Sequence, residues 1–166
     1  KGQDIIIDCI PDIVKNIPQF HLHLVGPKFE PYTNSIINHK YYKQFNNHIK
    51  IWGSRKDTYE MIYAADLMIL PTRAEALPRV ILEAMALNTP ILSTNVDGIS
   101  EMVQDNVSAI LFHPEDNSKM VRGMITLFSD KILLNKLVRK ASQDYWEKFS
   151  RKSQVLKYQD FFKKLY

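Results

Sequence analysis

The chain has 166 residues, 45 % of them hydrophobic, which suffices for the core of one domain of ordinary size spanning residues 1–166. Its single cysteine excludes an internal disulfide, its charge of +4 is modest, and no run of 18 apolar residues offers a membrane span. No secretory leader is recognisable, so the expected compartment is the cytoplasm.

In chain order, Gln3 to about Ile17 carries Ile6, Ile7, Cys9, Ile10 and Val14 at helical spacing, with Pro11 inside, which predicts a helix that kinks or restarts there. Cys9 lies on that stripe without a basic neighbour and reads as a buried structural thiol. Phe20-His-Leu-His-Leu-Val25 alternates with period two as far as Gly26 and predicts a strand with His21 and His23 on one face. No third ligand follows at useful spacing, so the pair reads as structural. Residues 27–48 are polar, with Tyr32, Ile36, Ile37, Tyr41 and Tyr42 at helical spacing. Ile49 to Trp52 is the next strand, and Asp57 is placed to cap a helix whose Tyr59, Met61, Ile62 and Ala65 pack inward.

Residues 67–70 form a short apolar run bounded by Pro71 and read as a buried strand. From Pro78 the spacing of Val80, Ile81, Ala84, Met85 and Leu87 becomes helical, with the proline near the first turn, where its missing N–H costs nothing. A strand at 91–93, a short helix from about Ser100, a strand at 109–112 and three helical segments complete the chain. Strands separated by helical stretches imply right-handed crossovers and a parallel sheet, hence an α/β, Rossmann-like doubly wound layer with helices on both faces. No G-x-G-x-x-G occurs among the five glycines, which argues against a dinucleotide oxidoreductase.

Two carboxylates stand out in this frame. Glu75 falls in the loop after the strand at 67–70 and Glu83 about a turn and a half into the next helix, at the carboxyl edge where open α/β sheets bind ligands. Eight helical residues would separate them by roughly 12 Å, beyond the ~5 to 9.5 Å of a hydrolytic acid and base pair. A carboxylate is a good acceptor for paired hydroxyls, and a helix N-terminus suits phosphate, so the pair fits a nucleotide sugar. The plain alternative is a solvated loop residue and a surface helix residue.

The spacing Glu75-x7-Glu83 resembles the E-x7-E motif of retaining GT-B glycosyltransferases, and its neighbours resemble glycosyltransferase family 4, the "glycosyl transferases group 1" domain. The resemblance rests on Lys1-Gly2, Leu24-Val-Gly26, Ile51-Trp-Gly53, Tyr63-Ala-Ala-Asp66-Leu, Glu83-Ala-Met-Ala, Thr89-Pro90, Asp97-Gly98-Ile-Ser-Glu101 and Phe149-Ser150, in register over essentially the whole chain. It implies the C-terminal, donor-binding half of a GT-B fold, whose first strand, a donor-binding arginine and an acceptor-binding N-terminal domain precede Lys1. It further implies a retaining transferase moving a hexose from a nucleoside diphosphate sugar to a glycan or lipid-linked acceptor, with no metal and no cofactor.

By the same resemblance Glu75 faces the transferred sugar, Glu83 accepts from the ribose hydroxyls and Lys1 neutralises the diphosphate as the leaving group gains charge. The amides of Leu77, Arg79 and Val80 and the Arg79 guanidinium would bind phosphate, while the loop Gly53-Ser-Arg55-Lys-Asp57 reads the base largely through its backbone. Three departures touch this site. Ala76-Leu77-Pro78 replaces the frequent Gly-Phe-Gly, Thr89 replaces the glycine before Pro90, and Asp97-Gly98 replaces a double glycine.

From residue 119 onward twelve Lys and Arg face four Asp and Glu, interleaved with Leu137, Val138, Tyr145, Trp146, Phe149, Leu156, Tyr158, Phe161, Phe162 and Tyr166. Either the basic face meets an anionic membrane surface, or the apolar stripe packs on the domain or its upstream partner and the lysines are merely solvated. No nucleic-acid reader motif accompanies the charge. Two other readings stay open: an epimerase on the same scaffold, and a non-catalytic nucleotide-sugar-binding module.

Overall fold

In the computed structural model, which describes residues 1–164, the N-terminal stripe folds as two short helices, α1 (Gln3–Asp8) and α2 (Ile10–Asn16). Tyr166 of the C-terminal aromatic series lies outside the described residues. Pro11 restarts the helix, occupying the first turn of α2 where no intrahelical N–H is needed. Cys9 is the joint, 4 % exposed, and burial pushes its thiol up to about 12, with Asp8 and Asp12 adding to the rise. Such a thiol stays protonated and inert.

The chain continues through β1 (Leu22–Val25), α3 (Glu30–Asn38), α4 (Lys40–Gln44), β2 (Ile49–Gly53), α5 (Thr58–Ala64), β3 (Met68–Leu70), α6 (Arg79–Ala86), β4 (Ile91–Thr94), α7 (Ile99–Met102) and β5 (Ile110–Phe112). Three helices follow: α8 (Asn117–Ser129), α9 (Lys131–Asp144) and α10 (Arg151–Lys163), with a π-helical turn at Tyr145–Phe149 between the last two. Caps set their starts. Asp116, Asp130 and Ser150 accept from the amides of Lys119, Leu133 and Ser153 at 2.8, 2.9 and 3.2 Å.

Every strand pairing is parallel. β1 bonds to β2 in one piece, and β3, β4 and β5 bond in that order in another. Alternation divides the core between the faces of the larger piece. Leu92, Ile110 and Phe112 join α1, α2 and α8 on one side, while Met68, Ile91 and Leu111 join α6 and α7 on the other. Each such Ile or Leu side chain contributes about 1.5–3 kcal/mol when fully buried. This is the expected doubly wound layer.

Three local expectations change, and one open reading narrows. Asp57 sits at the start of α5, but its carboxylate takes two bonds from Arg55, at 2.8 and 2.6 Å, instead of capping the helix. A charged bidentate partner two residues away outcompetes a helix amide. Tyr59 and Ala65 are exposed, Met61 is half-buried, and of that quartet Ile62 packs against the core. His21 precedes β1, stacked on His48 with ring centroids 5.7 Å apart, while His23 Nδ1 accepts from Trp52 Nε1 at 3.1 Å. The apolar residues of α10 do not pack on the domain. Tyr158, Phe161 and Phe162 are 63, 57 and 55 % exposed, whereas Leu137, Tyr145 and Phe149 do join the core.

Candidate functional site

The carboxyl ends of β1 to β4 carry Gly26, Gly53, the loop 71–78 and the loop 95–98. β1 and β2 form one bonded piece, and α5 carries the chain from it to the other, β3, β4 and β5. Open α/β sheets bind ligands outside the carboxyl ends of their strands.

The loop after β3 is held from both sides. On the first, Gly2 at φ 74° presses on Pro71 so closely that an added Cβ would lie 1.7 Å from the Pro71 carbonyl oxygen. Only glycine meets both the backbone angle and the contact. That contact brings the start of α1 to the loop, where Lys1 Nζ donates to the Glu75 carboxylate. The Glu75 side chain is 17 % exposed and that of Lys1 is 61 % exposed.

Two residues into α1, Asp4 takes both Arg73 amino groups, at 3.1 and 2.6 Å, and the Tyr32 hydroxyl at 3.1 Å. The Arg73 guanidinium, followed by Tyr32, holds the Asp4 carboxyl below the usual carboxylate range despite partial burial. Within the loop, Thr94 Oγ1 donates to the Thr72 carbonyl at 2.7 Å, and Thr72 Oγ1 donates to the Ala74 carbonyl at 3.0 Å. On the far side the Glu75 amide donates to Asp97 Oδ2 at 3.1 Å, and Gly98 lies against Ala76.

Past the loop, Pro78 stands at the start of α6, and the amides of Leu77, Arg79 and Val80 have no protein acceptor among the described residues. Leu77 and Arg79 are exposed, and Glu83, fifth in α6, is half-buried. Uncommitted amides at a helix start are donors for an anion. Gly53 ends β2 at φ 77°, and its carbonyl accepts from Gly26 N at 3.0 Å, which ties the ends of β1 and β2 together. Arg55 is committed to Asp57 and lies over Trp52, 4.7 Å from the ring centroid. Its guanidinium is therefore less available than that of Arg79. Among the described residues no trio of His, Cys, Asp or Glu is arranged to hold a metal ion, and no helix is long and apolar enough to cross a membrane.

The structure thus joins Lys1 and Glu75, 74 positions apart, and the free amides that open α6 follow Glu75 within a few residues, while among the described residues the Glu83 side chain makes no hydrogen bond or ion pair with either. Asp4, Arg73 and Tyr32 are additions that no short spacing announces; Asp97 stood out only as a departure from a double glycine.

This is the architecture of the C-terminal, Rossmann-like half of a GT-B glycosyltransferase, with its loops gathered at one sheet edge. Residues 1–144 match the family described as Glycosyl transferases group 1, and the chain belongs to that family. It is 26 % identical over 152 residues to a glycosyltransferase of Methanocaldococcus jannaschii, covering 90 % of this chain and 41 % of that protein. It is 28 % identical over 110 residues to the N-acetyl-alpha-D-glucosaminyl L-malate synthase of Bacillus anthracis, covering 66 % of this chain and 29 % of that enzyme. Among solved structures, Anabaena HepE in complex with UDP superposes with a TM-score of 0.85 at 24 % identity, over 96 % of this chain and 44 % of HepE. HepE in complex with UDP-glucose gives 0.82 at 25 %, over 90 and 42 %. The chain therefore spans less than half the length of each of these relatives.

Proposed function

We propose that residues 1–166 are one domain, the donor-binding half of a retaining, family 4 glycosyltransferase that moves a hexose from a nucleoside diphosphate sugar to a glycan or lipid-linked acceptor. The observation that carries the reading is the Lys1–Glu75 pair at the sheet edge, beside the free amides that open α6. Lys1, Arg79 and the amides of Leu77, Arg79 and Val80 bind the diphosphate. Glu83 accepts from the ribose hydroxyls, and the backbone around Gly53 and Arg55 meets the base. With donor bound, the diphosphate replaces Glu75 as the anion beside Lys1, and Glu75 turns to the transferred sugar. Charge developing on the leaving diphosphate is met by fixed positive groups, so the reading calls for neither metal nor cofactor.

The HepE complexes support a uridine nucleotide as the first donor to try. Upstream chain of the length seen in the relatives would supply the acceptor side, a strand for the unpaired edges of β1 and β3, and a cover for the open apolar side chains of α10. Those side chains favour a protein partner over a membrane in the cytoplasm, because Leu156 and Phe161 point well away from the side shared by Val155 and Phe162.

The test is calorimetry of the full-length protein with UDP, GDP and ADP and their glucose and mannose derivatives, together with transfer assays. One nucleotide should bind selectively, Glu83→Ala should weaken it about tenfold or more, and Glu75→Gln should abolish transfer while sparing binding. Undiminished transfer by Glu75→Gln would refute the assignment.

A further inference from the structure

Asp97 is one of three non-glycine residues among those described with positive φ, at 40°. Aspartate visits this left-handed region more readily than most residues, but glycine occupies it at no steric cost, so the backbone by itself favours glycine here. What the side chain adds is a bond across the site. Asp97 Oδ2 accepts from the amide of Glu75 at 3.1 Å, while the Asp97 carbonyl accepts from Ser100 Oγ at 2.9 Å and fixes the turn into α7. The next residue, Gly98, touches the Ala76 carbonyl, so the turn after β4 lies directly on Glu75, which carries the candidate catalytic carboxylate, and on the residue that follows it.

An amide in a half-exposed loop would otherwise exchange its partner with water, and the backbone carrying Glu75 would be free to ride up or down at the sheet edge. We propose that Asp97 is a positioning residue: its carboxylate locks the Glu75 amide and thereby sets where the Glu75 carboxylate stands relative to the transferred sugar. The assignment rests on the donor-site reading above. Asp97 touches no substrate itself and acts only through Glu75.

The experiment compares Asp97→Gly, Asp97→Asn and Glu75→Gln in the full-length protein, with UDP-, GDP- and ADP-glucose and GDP-mannose as donors and water as acceptor, reading release of the nucleoside diphosphate. Asp97→Gly relieves the φ and removes the acceptor. It should hold or raise the melting temperature, leave the donor KM within about twofold, and lower kcat by roughly 10- to 100-fold, the scale of a small misplacement of a reacting group. Asp97→Asn keeps both an acceptor oxygen and tolerance of positive φ, and should restore most of kcat. Amide exchange of residues 71–78 should quicken in the glycine variant only.

Unchanged kcat in Asp97→Gly, with Glu75→Gln inactive, overturns the role of Asp97 and leaves the donor site standing. Full activity in Glu75→Gln, or no nucleotide release from any donor by the parent protein, overturns the donor-site reading and this assignment with it. A loss of melting temperature that tracks the loss of kcat through both Asp97 variants makes the residue structural and also overturns the assignment.

Discussion

A single methyl group at Gly98 tests whether the two loops of the site are pressed together as tightly as the structure indicates. Gly98 has φ −66° and ψ −8°, a conformation that alanine adopts freely, so the substitution adds no backbone strain and should slightly favour folding by restricting the unfolded chain. Contact is the only adverse effect. The new Cβ would lie 1.5 Å from the Ala76 carbonyl oxygen and 2.7 Å from its carbon. These are backbone atoms that no rotamer change can move, so the loops must separate by about 1.5–2 Å to recover van der Waals distance. Overpacking of this kind costs about 1–3 kcal/mol, which for a protein of this size or larger lowers the melting temperature by roughly 2–12 °C. Because the displaced carbonyl follows Glu75 directly, transfer should fall by about 10- to 100-fold, more than the stability loss explains. Calorimetric melting and donor turnover on the same full-length preparation read both effects. A Gly98→Ala protein that melts and turns over like the parent would refute the close approach and the coupling of the two loops.

Acid should weaken the fold through two carboxylates. Asp4 is held below its ordinary value chiefly by Arg73, and Asp144, though burial pushes it up, is held low by Lys148 and Lys140 at 2.8 and 2.9 Å. A carboxyl lowered on folding contributes stability above its unfolded value, near 3.8 for these groups, and that contribution is lost as pH falls through the folded value. Melting temperature measured from pH 7 to 3 should therefore drop at the acid end, and Asp144→Asn should melt lower at pH 7 with a shallower acid limb; an unchanged limb would count against the pair. The exposed Asp4–Arg73 pair contributes only about 0.5–1 kcal/mol, so Arg73→Ala should change stability little. If upstream chain covers α10, Phe162→Ala should lower the melting temperature of the full-length protein by several degrees, whereas no change would mean that this face stays open.

The alternation of helix and strand, the restart at Pro11, the buried thiol of Cys9 and the helix after Pro78 were legible because each depends on residues close in sequence: apolar period, a proline without an N–H, a run of four apolar residues. The same locality misled at Asp57, where position alone predicted a cap and the nearer guanidinium of Arg55 took the carboxylate. It also misled at Tyr59 and Ala65, whose spacing suits burial although no neighbouring element covers them. Glu75 and Glu83 became candidates by their spacing and by resemblance. Their surroundings were not, since Arg73 meets Asp4 across 69 positions, Lys1 meets Glu75 across 74 and Asp97 reaches the Glu75 amide across 22.

By itself, then, the sequence determined the period of each element, because apolar spacing and chain stiffness act within a few residues, and its motifs carried the resemblance to the family. Tertiary structure alone decided which charges meet, how closely Gly2 and Gly98 press on the Glu75 loop, and that the apolar residues of α10 stand open, because those follow from where the crossovers return the chain.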